Sequence, residues 1–586
     1  MCGIAGIMMK DGQSPPDAVL LSLSEALGHR GPDDRGIHKA GVVGLVHTRL
    51  AIIDPDGGVQ PFFHDNGSVL VANGEIYNDL DVRRQLAELT YKTGSDCESA
   101  LHLYASHGIT FAEHLRGMYA IALYDPRCKR LVVSRDPFGI KPFYFYEGET
   151  AWYFSSEPQA LVAAGVVTRS VNAAAVDELL ALQFSCGEST PFMGIKRLRP
   201  GMTLAIENGE IVDMHHLPAV LQQRGNGASE NDYVIGFDGI WEEAVGVHQR
   251  SDVPYGLFLS GGVDSTAVLA MMTRLNDEPV QTFTAGFGET LIHDERKRAR
   301  ATAIAAGAKH TEVMIGPADF WSKLPRIAAA MDDPVADYAI IPTYLLAEVA
   351  KKSVKVILTG EGGDEMFAGY GRYRGARRPW PFQKRPWRRH ALHNLGILRQ
   401  ESASWAEAIM NTRSGLEVIG YSGLQKEQAV DIAHWLPNDL LTKLDRCLMA
   451  NGVEGRVPFL DPKVANFAFN LDDCLKVRGR VGKWLLRQWL AEYFPKADAF
   501  SHKKGFSVPV GHWIAEKGKI LAPLVSKQCG IAKICNIDRV HDLFTRLTTK
   551  YAFASWVLLF YALWHQHHIV GRPCNGDVYE TLAYDS

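Results

Sequence analysis

The sequence predicts a two-domain α/β protein. Its N-terminal domain is expected to layer helices over two sheets. Its C-terminal domain is expected to wrap helices around a doubly wound parallel sheet and to end in a helical tail. Three observations lead there. At 586 residues the chain is too long for one ordinary core. Its N-terminal part holds short apolar runs bounded by Gly, Pro, Asp and Asn, the pattern of strands and turns. Beyond Asn231 such runs alternate with helix-length segments, as parallel strands joined by helical crossovers do.

Gly41 to Val46, Ser68 to Ala72, Tyr119 to Tyr124 and Leu131 to Ser134 are the clearest N-terminal strands. Ser95 to His107 reads as a helix with Ser95 as its cap. The polar, Gly-containing stretch from Leu217 to Asn231 places a linker at residues 216–231, between domains at 2–215 and 232–586. After it, Gly256 to Leu259 leads through a Gly-rich turn into a helix from Ser265 to Arg274. Val280 to Thr284 leads into Glu295 to Ala306, and Val354 to Thr359 ends in a second Gly-rich turn. Beyond Gln400 the pattern is helical, and no internal repeat is visible. The late apolar run from Ala552 to Trp564 falls short of the roughly 20 residues that a membrane-spanning helix needs.

Hydrophobic residues at 46% and charged residues at 22% are the values of a soluble globular protein. A net charge of -4 gives no reason to expect nucleic acid or a membrane surface. Nine cysteines, with no pair at C-x-x-C spacing, argue against a disulfide framework and a cysteine zinc site. A reduced, cytoplasmic compartment fits, and the first residues carry no signal-peptide pattern. Arg377 to His390 mixes cations, aromatics and prolines. A solvated cover over the neighbouring loop accounts for it better than a single-strand nucleic-acid site. His565 and His568 lie one helical turn apart without an acidic or cysteine partner, so they read as helix core rather than metal ligands.

Cys2 follows the initiator Met and precedes Gly3. Removal of Met1 would leave an amine and a thiol on one residue, so that the amine serves as base for its own nucleophile. Several companions surround this cysteine in sequence order. They are His29-Arg30-Gly31-Pro32-Asp33, Arg49, Asn73-Gly74-Glu75-Ile76-Tyr77-Asn78, Asp96 and Arg135-Asp136-Pro137-Phe138-Gly139-Ile140-Lys141-Pro142. Together they resemble the class II glutamine amidotransferases, whose domain is an N-terminal-nucleophile (Ntn) hydrolase with an αββα sandwich. The resemblance implies that Cys2 attacks the glutamine amide and forms a thioester. Asn73 and the Gly74 N–H would hold the oxyanion, Arg49 the glutamine carboxylate, and Asp96 with Glu75 its ammonium.

Ser260-Gly261-Gly262-Val263-Asp264-Ser265-Thr266 lies between a strand and a helix, where backbone N–H groups and hydroxyls make an anion site. It lacks the G-K-[ST] ending of a Walker A loop. Asp264 inside an anion loop makes sense as a ligand for Mg2+ carried by phosphates. The pattern is the pyrophosphate-binding (PP) loop of enzymes that adenylate a carboxylate, in an adenine nucleotide alpha hydrolase-like sheet. Thr359-Gly360-Glu361-Gly362-Gly363-Asp364-Glu365 and Gly455-Arg456-Val457-Pro458-Phe459-Leu460-Asp461 extend the match to the glutamine-hydrolysing asparagine synthetase family, over almost the whole chain. That resemblance implies ATP as substrate with Mg2+ at Asp264 and Asp364. It also implies Glu361 as acceptor of a proton from attacking ammonia, Lys503 as the phosphate-neutralising lysine, and Leu259, Ala285, Thr359 and Gly360 around adenine. An internal ammonia passage between the two sites follows from the family.

One stretch departs from that family. Its Thr-Thr-x-Arg-Ala-Ser segment is represented here by Asp332 to Thr343, with Tyr338 in the arginine's place. Losing a guanidinium where a carboxylate binds is not conservative. The acceptor is therefore expected to be aspartate or another carboxylate, such as a sugar acid or a peptide. The expected partners are small molecules, a homodimer is compatible with the pattern, and neither nucleic acid nor membrane is expected.

Overall fold

The computed structural model describes residues 2–221, 229–288, 295–377, 391–392, 395–402, 404–501, 508–546 and 551–583. Two six-stranded antiparallel sheets form the centre of the N-terminal domain. One runs Lys196–Arg197, Tyr144–Glu147, Ala151–Ser155, Gly3–Met9, Val43–Arg49, Asp34–Ala40 from edge to edge. The other runs Glu210–His216, Met202–Glu207, Arg130–Arg135, Gly117–Asp125, Val69–Ile76, Phe62–Phe63. Ile4, Met8, Leu45, Val71, Ala122, Val133 and Trp152 fill the space between them. Helices Asp17–Ala26 and Pro158–Ala163 cover the outer face of the first sheet, and Asp79–Gln85 and Glu98–His107 that of the second. This is the αββα sandwich. Gly117–Asp125 is buried along its whole length, which is why its sequence is an unbroken apolar run rather than an alternation.

The helix after Ser95 starts later than expected, at Glu98, and Ser95 does not cap it. Asp96 turns its carboxylate to the Ile76 amide at 2.5 Å, and the Ser95 carbonyl accepts from Arg83 Nη2 at 2.6 Å. These bonds hold residues 95–97 as a turn against the neighbouring strand, out of capping geometry.

In the C-terminal domain five parallel strands stand in the order Lys309–Ile315, Gln281–Phe287, Tyr255–Phe258, Val356–Leu358, Glu454–Arg456. The first strand in sequence is central, two later ones add on one side and two on the other. The sheet is doubly wound, and its switch point falls between Tyr255–Phe258 and Val356–Leu358. Both Gly-rich turns leave the carboxyl ends of these two strands, where ligands of such sheets bind. Helix Glu230–Gln249 opens the domain with a capping box, in which Ser229 Oγ accepts from the Asp232 amide at 3.2 Å. The strand Glu454–Arg456 was not foreseen within the helical tail. It is three residues long, and its two charges are buried because they pair, Arg456 Nε donating to Glu454 Oε1 at 2.6 Å.

The apolar run near the end forms the buried helix Ala552–His565. Among the described residues no helix is long and apolar enough to cross a membrane, and no cluster of three or more His, Cys, Asp or Glu side chains is placed to hold a metal ion. His568 is core: its ring bonds Gln159 Oε1 at 3.0 Å through Nδ1. Most of the segment from Arg377 to His390 lies outside the described residues, as do residues 222–228 of the expected linker.

The two domains meet through buried charge. Arg30 is wholly buried and makes a bidentate pair with Asp445, at 2.8 and 2.9 Å, while its Nη1 also reaches Glu157 Oε1 at 2.7 Å. Arg446 continues the network to Asp332 at 2.6 Å. Arg197 and the Tyr144 hydroxyl close on Asp333, at 2.6 and 2.7 Å. Removing one partner of a buried pair leaves an uncompensated charge, which costs about 3–5 kcal/mol. Arg30→Leu is therefore expected to lower the unfolding free energy by about that much in urea titrations. Disruption of the exposed Lys39–Asp17 pair is expected to cost under about 1 kcal/mol. Equal effects of the two substitutions would show that the interface stands without Arg30.

Candidate functional site

Cys2 enters the first sheet one residue before the strand Gly3–Met9 and is buried. Three neighbours fix its backbone. The Cys2 amide donates to Asn73 Oδ1 at 3.1 Å, Arg30 Nε donates to the Cys2 carbonyl at 3.2 Å, and the Gly3 amide donates to Thr48 Oγ1 at 3.1 Å. Burial pushes the Cys2 thiol up, against the pull of the Leu50 amide and Arg49. The thiol is thus not a standing thiolate.

Asn73 belongs to the second sheet, so the site is made where the two sheets face each other. With its oxygen committed to Cys2, its amide nitrogen Nδ2 is buried without a hydrogen-bond partner. A buried donor left open in this way requires a partner, and Cys2 is its neighbour. Gly74 is required by close packing: a β-carbon there would stand 2.2 Å from the Met118 carbonyl oxygen on the next strand. Asp96 is buried, which raises its carboxyl to about 6. Glu75 Oε1 stands 2.9 Å from Arg456 Nη2, an ion pair between domains without hydrogen-bond alignment. Arg49 is buried too, and its guanidinium donates to the Pro55 and Asp54 carbonyls at 2.8 and 2.6 Å, shaping the loop that follows its strand.

The second site lies at the switch point. Gly261 has φ +69°, and Gly262 occupies the cap position of helix Val263–Leu275. Ser260 and Ser265 hydroxyls stand 3.1 Å apart across the loop. The second loop turns at Gly362, with φ +88°, into the short helix Gly363–Met366. The two loops touch without room for side chains. A β-carbon on Gly360 would lie 2.8 Å from the Ser265 amide, and one on Gly363 would lie 2.7 Å from Asp264 Oδ1. Leu259, Ala285, Thr359 and Thr266 are buried around this junction. Glu361 follows, with its carboxyl raised by burial and by Asp337, Asp364 and Asp264, against Lys443. Lys503 lies outside the described residues.

Two lysines complete the second site that the motifs did not reveal. Lys483 reaches between Asp264 and Asp364. Lys443 stands 2.9 Å from Asp337 Oδ2 and 3.9 Å from Glu361 Oε1. Lys443 had a signal in the sequence: Asp439, Lys443 and Arg446 recur at helical spacing, with Asp445 beside them, in the segment before Gly455. Lys483, a lone cation between Gly482 and Trp484, had none. The two carboxylates fit a divalent cation, because they already converge on one ammonium and Asp264 Oδ1 is buried without a partner.

A buried cysteine on an αββα sandwich, joined to paired Gly-rich loops at the switch point of a doubly wound sheet, defines a carbon–nitrogen ligase that draws its nitrogen from glutamine. Comparison with known proteins agrees with that class. Residues 1–217 match the glutamine amidotransferase domain and residues 237–566 match asparagine synthase. The chain belongs to the asparagine synthase family. It is 31% identical to asparagine synthetase [glutamine-hydrolyzing] 1 of Bacillus subtilis, over 98% of both chains. It is also 31% identical to a putative asparagine synthetase [glutamine-hydrolyzing] of Mycobacterium tuberculosis, over 97% of this chain and 98% of the relative. With asparagine synthetase [glutamine-hydrolyzing] 2 of Arabidopsis thaliana it shares 29% identity over 88% and 80%.

The packing around Gly74 makes a sharp expectation. Gly74→Ala forces two strands apart beside Cys2, an overpacking cost of about 1–3 kcal/mol. Glutamine hydrolysis should fall by at least an order of magnitude, with a lowered thermal midpoint. Gly236→Ala serves as the contrast, because that glycine lies within helix Glu230–Gln249 and its β-carbon would meet nothing within 4 Å. Unchanged glutaminase activity in Gly74→Ala would show that the strand spacing there is not critical.

Proposed function

We propose that the chain hydrolyses L-glutamine at Cys2 and delivers the ammonia to a carboxylate adenylated by ATP at the second site. L-aspartate is the acceptor, and L-asparagine, L-glutamate, AMP and diphosphate are the products. The observation that carries this reading is Asn73: its oxygen orients the Cys2 nitrogen, and its open Nδ2 is a donor for an oxyanion formed beside the thiol.

The chemistry follows from the residues. Because burial raises the thiol, Cys2 needs a base, and its own amine, freed by removal of Met1, stands on the Asn73 oxygen to act as one. The thiolate attacks the amide carbon of glutamine, Asn73 Nδ2 and the Gly74 N–H hold the oxyanion, and ammonia leaves. Water then releases glutamate from the thioester. Arg49 holds the glutamine carboxylate, while Asp96 and Glu75 hold its ammonium.

At the second site Ser260 to Thr266 cradle the phosphates, and Leu259, Ala285, Thr359 and Gly360 surround adenine. Mg2+ held by Asp264 and Asp364 would neutralise the departing pyrophosphate, a task the family resemblance also assigns to Lys503. The acceptor carboxylate attacks the α-phosphorus and pyrophosphate leaves. Ammonia then attacks the acyl carbon, AMP leaves, and Glu361 takes the ammonia's surplus proton. Its raised pKa makes it a better base than an ordinary carboxylate. Since free ammonia protonates in bulk water, it travels within the interface, where Lys141 is wholly buried and burial lowers its amine.

The acceptor reading rests on three groups. Tyr338 is half-buried against the core, but Lys443 supplies a cation beside Glu361. Asp439, whose carboxylate oxygens are both buried without a hydrogen-bond partner, lies within electrostatic reach of Lys443 and Glu361. Burial raises its carboxyl well above the ordinary carboxylate range, and an α-ammonium arriving beside it and Asp337, as an amino-acid acceptor requires, would favour the ionised form. A second reading, amidation of another carboxylate, is favoured by Tyr338 in place of the family's arginine.

Pyrophosphate release from Mg-ATP and ammonium should depend on aspartate and be accompanied by asparagine. Cys2→Ala should keep this ammonia-driven activity while losing the glutamine-driven one. Glutamine hydrolysis without any aspartate-dependent pyrophosphate release would reject aspartate and leave the second reading. For glutamine hydrolysis, kcat/KM should rise with pH through about 6, because Asp96 must ionise to hold the ammonium. Asp96→Asn should lower it at pH 8 by about 10- to 100-fold, the worth of a charged hydrogen bond of about 1.5–3 kcal/mol. A flat profile in the native enzyme would contradict that role.

A further inference from the structure

We infer that Lys483 is an internal counter-ion: it occupies the cation position between Asp264 and Asp364 until nucleotide phosphates draw it away, so that metal binds only together with nucleotide. The inference rests on the reading of Asp264 and Asp364 as metal ligands.

The placement of Lys483 is built by the fold. Its Nζ pairs with Asp264 Oδ2 and stands 2.6 Å from Asp364 Oδ1, and its side chain is 3% exposed. The residue itself adopts φ +56°, a left-handed conformation that costs a lysine energy and persists where the surroundings hold it. Those surroundings are the second Gly-rich loop. The Lys483 amide donates to the Phe367 carbonyl at 3.1 Å, and Ala368 is also left-handed, at φ +58°. Gly369 leaves the space that the contact needs. A β-carbon there would lie 1.8 Å from Asp364 Oδ1 and 2.1 Å from Lys483 Cε. A lysine pinned by backbone strain and by a glycine cut-out is not a surface cation that happened to fold inward.

Its electrostatic effect is definite. Two carboxylates facing one point repel, and in a buried site that repulsion is strong unless a cation lies between them. The ammonium satisfies this need without metal. A divalent cation arriving alone would have to share the two oxygens with the ammonium or expel it from the two carboxylates that are its ion-pair partners among the described residues. Phosphate oxygens change the balance. They offer the ammonium new acceptors a short movement away and bring their own metal, so the lysine passes from the carboxylates to the phosphates as the metal takes its place. Such an arrangement keeps the carboxylates aligned in the resting enzyme and prevents idle metal from occupying the loop.

Mn2+ is the probe, measured by electron paramagnetic resonance on the full-length enzyme with and without a non-hydrolysable α,β-methylene ATP. In the native enzyme Mn2+ affinity without nucleotide should be at least tenfold weaker than with it. Lys483→Met should bind Mn2+ without nucleotide at least tenfold more tightly than the native enzyme, and Lys483→Arg should not. Nucleotide-independent Mn2+ binding in the native enzyme, lost in Asp264→Ala, overturns the counter-ion inference, whether or not Lys483→Met folds, and leaves the metal-ligand reading standing. Mn2+ binding with nucleotide that is unchanged in both Asp264→Ala and Asp364→Ala overturns the metal-ligand reading, and the inference with it.

Discussion

The arrangement turns on one guanidinium. Arg456 is wholly buried, with Nε bonded to Glu454 at 2.6 Å, Nη1 to the His248 carbonyl at 2.9 Å, and Nη2 facing Glu75 of the other domain at 2.9 Å. Its backbone carbonyl receives the Thr359 amide at 2.9 Å, which sets the start of the second Gly-rich loop. The side chain therefore belongs to the Cys2 side of the interface and the main chain to the Glu361 side. Replacing such a buried pair by apolar residues could be neutral or better for stability, so stability alone is a poor reason for it. What it supplies is register: an ion pair with fixed donors tolerates far less sliding between the domains than a greasy contact does. Arg30 works alongside it, tying the Cys2 carbonyl to Asp445 through one planar group.

Register matters because both sites are made from pieces that are distant in sequence. Cys2 and Asn73 come from different sheets, and Asp264 and Asp364 come from different loops. At each junction a side chain is missing where it would obstruct: Gly74 between strands, Gly360 and Gly363 between loops. Close backbone approach brings the functional groups within reach, and the interface charges hold the two halves at that approach. The conformational freedom of glycine matters at Gly261 and Gly362, which turn the chain with positive φ; at the others what counts is the absence of a β-carbon.

Much of this was legible in the sequence, and the limits have physical causes. The strand–helix alternation after Asn231 and the Gly-rich turns gave the parallel sheet, because strands buried on both faces must be apolar throughout. Glu454–Arg456 escaped notice because a three-residue strand carries no periodicity and its charges look like surface. Cys2, Asn73, Asp264 and Glu361 stood out as candidates because each sits in a Gly-containing motif. Lys443 and Lys483 did not: the helical spacing around Lys443 marks a charged face without naming what lies opposite it, and Lys483 stands alone in its run. The Ser95 cap failed for a related reason: Asp96, next to it, has a stronger claim from the Ile76 amide across the sheet. Local signals were overridden where a partner from another element offered more.

A common trait of the two sites is incompleteness. Asn73 Nδ2, Lys141 Nζ, Asp264 Oδ1 and both oxygens of Asp439 are buried without hydrogen-bond partners. Each would cost about 1–3 kcal/mol if left so, which is large against a net stability of about 5–15 kcal/mol. Other buried atoms, such as Trp152 Nε1 and Trp513 Nε1, share the trait; what sets these four residues apart is their place beside the proposed chemistry. Under the proposed function, substrate groups of matching kind would satisfy them in turn: an oxyanion for Asn73, ammonia for Lys141, a cation for Asp264 and an ammonium for Asp439. Binding energy is then realised only when the correct group arrives, and a partner lacking it leaves the deficit in place. Selectivity and the dense buried charge of the interface are thus one design, in which the ion pairs hold the domains fixed so that the sites can stay unsatisfied.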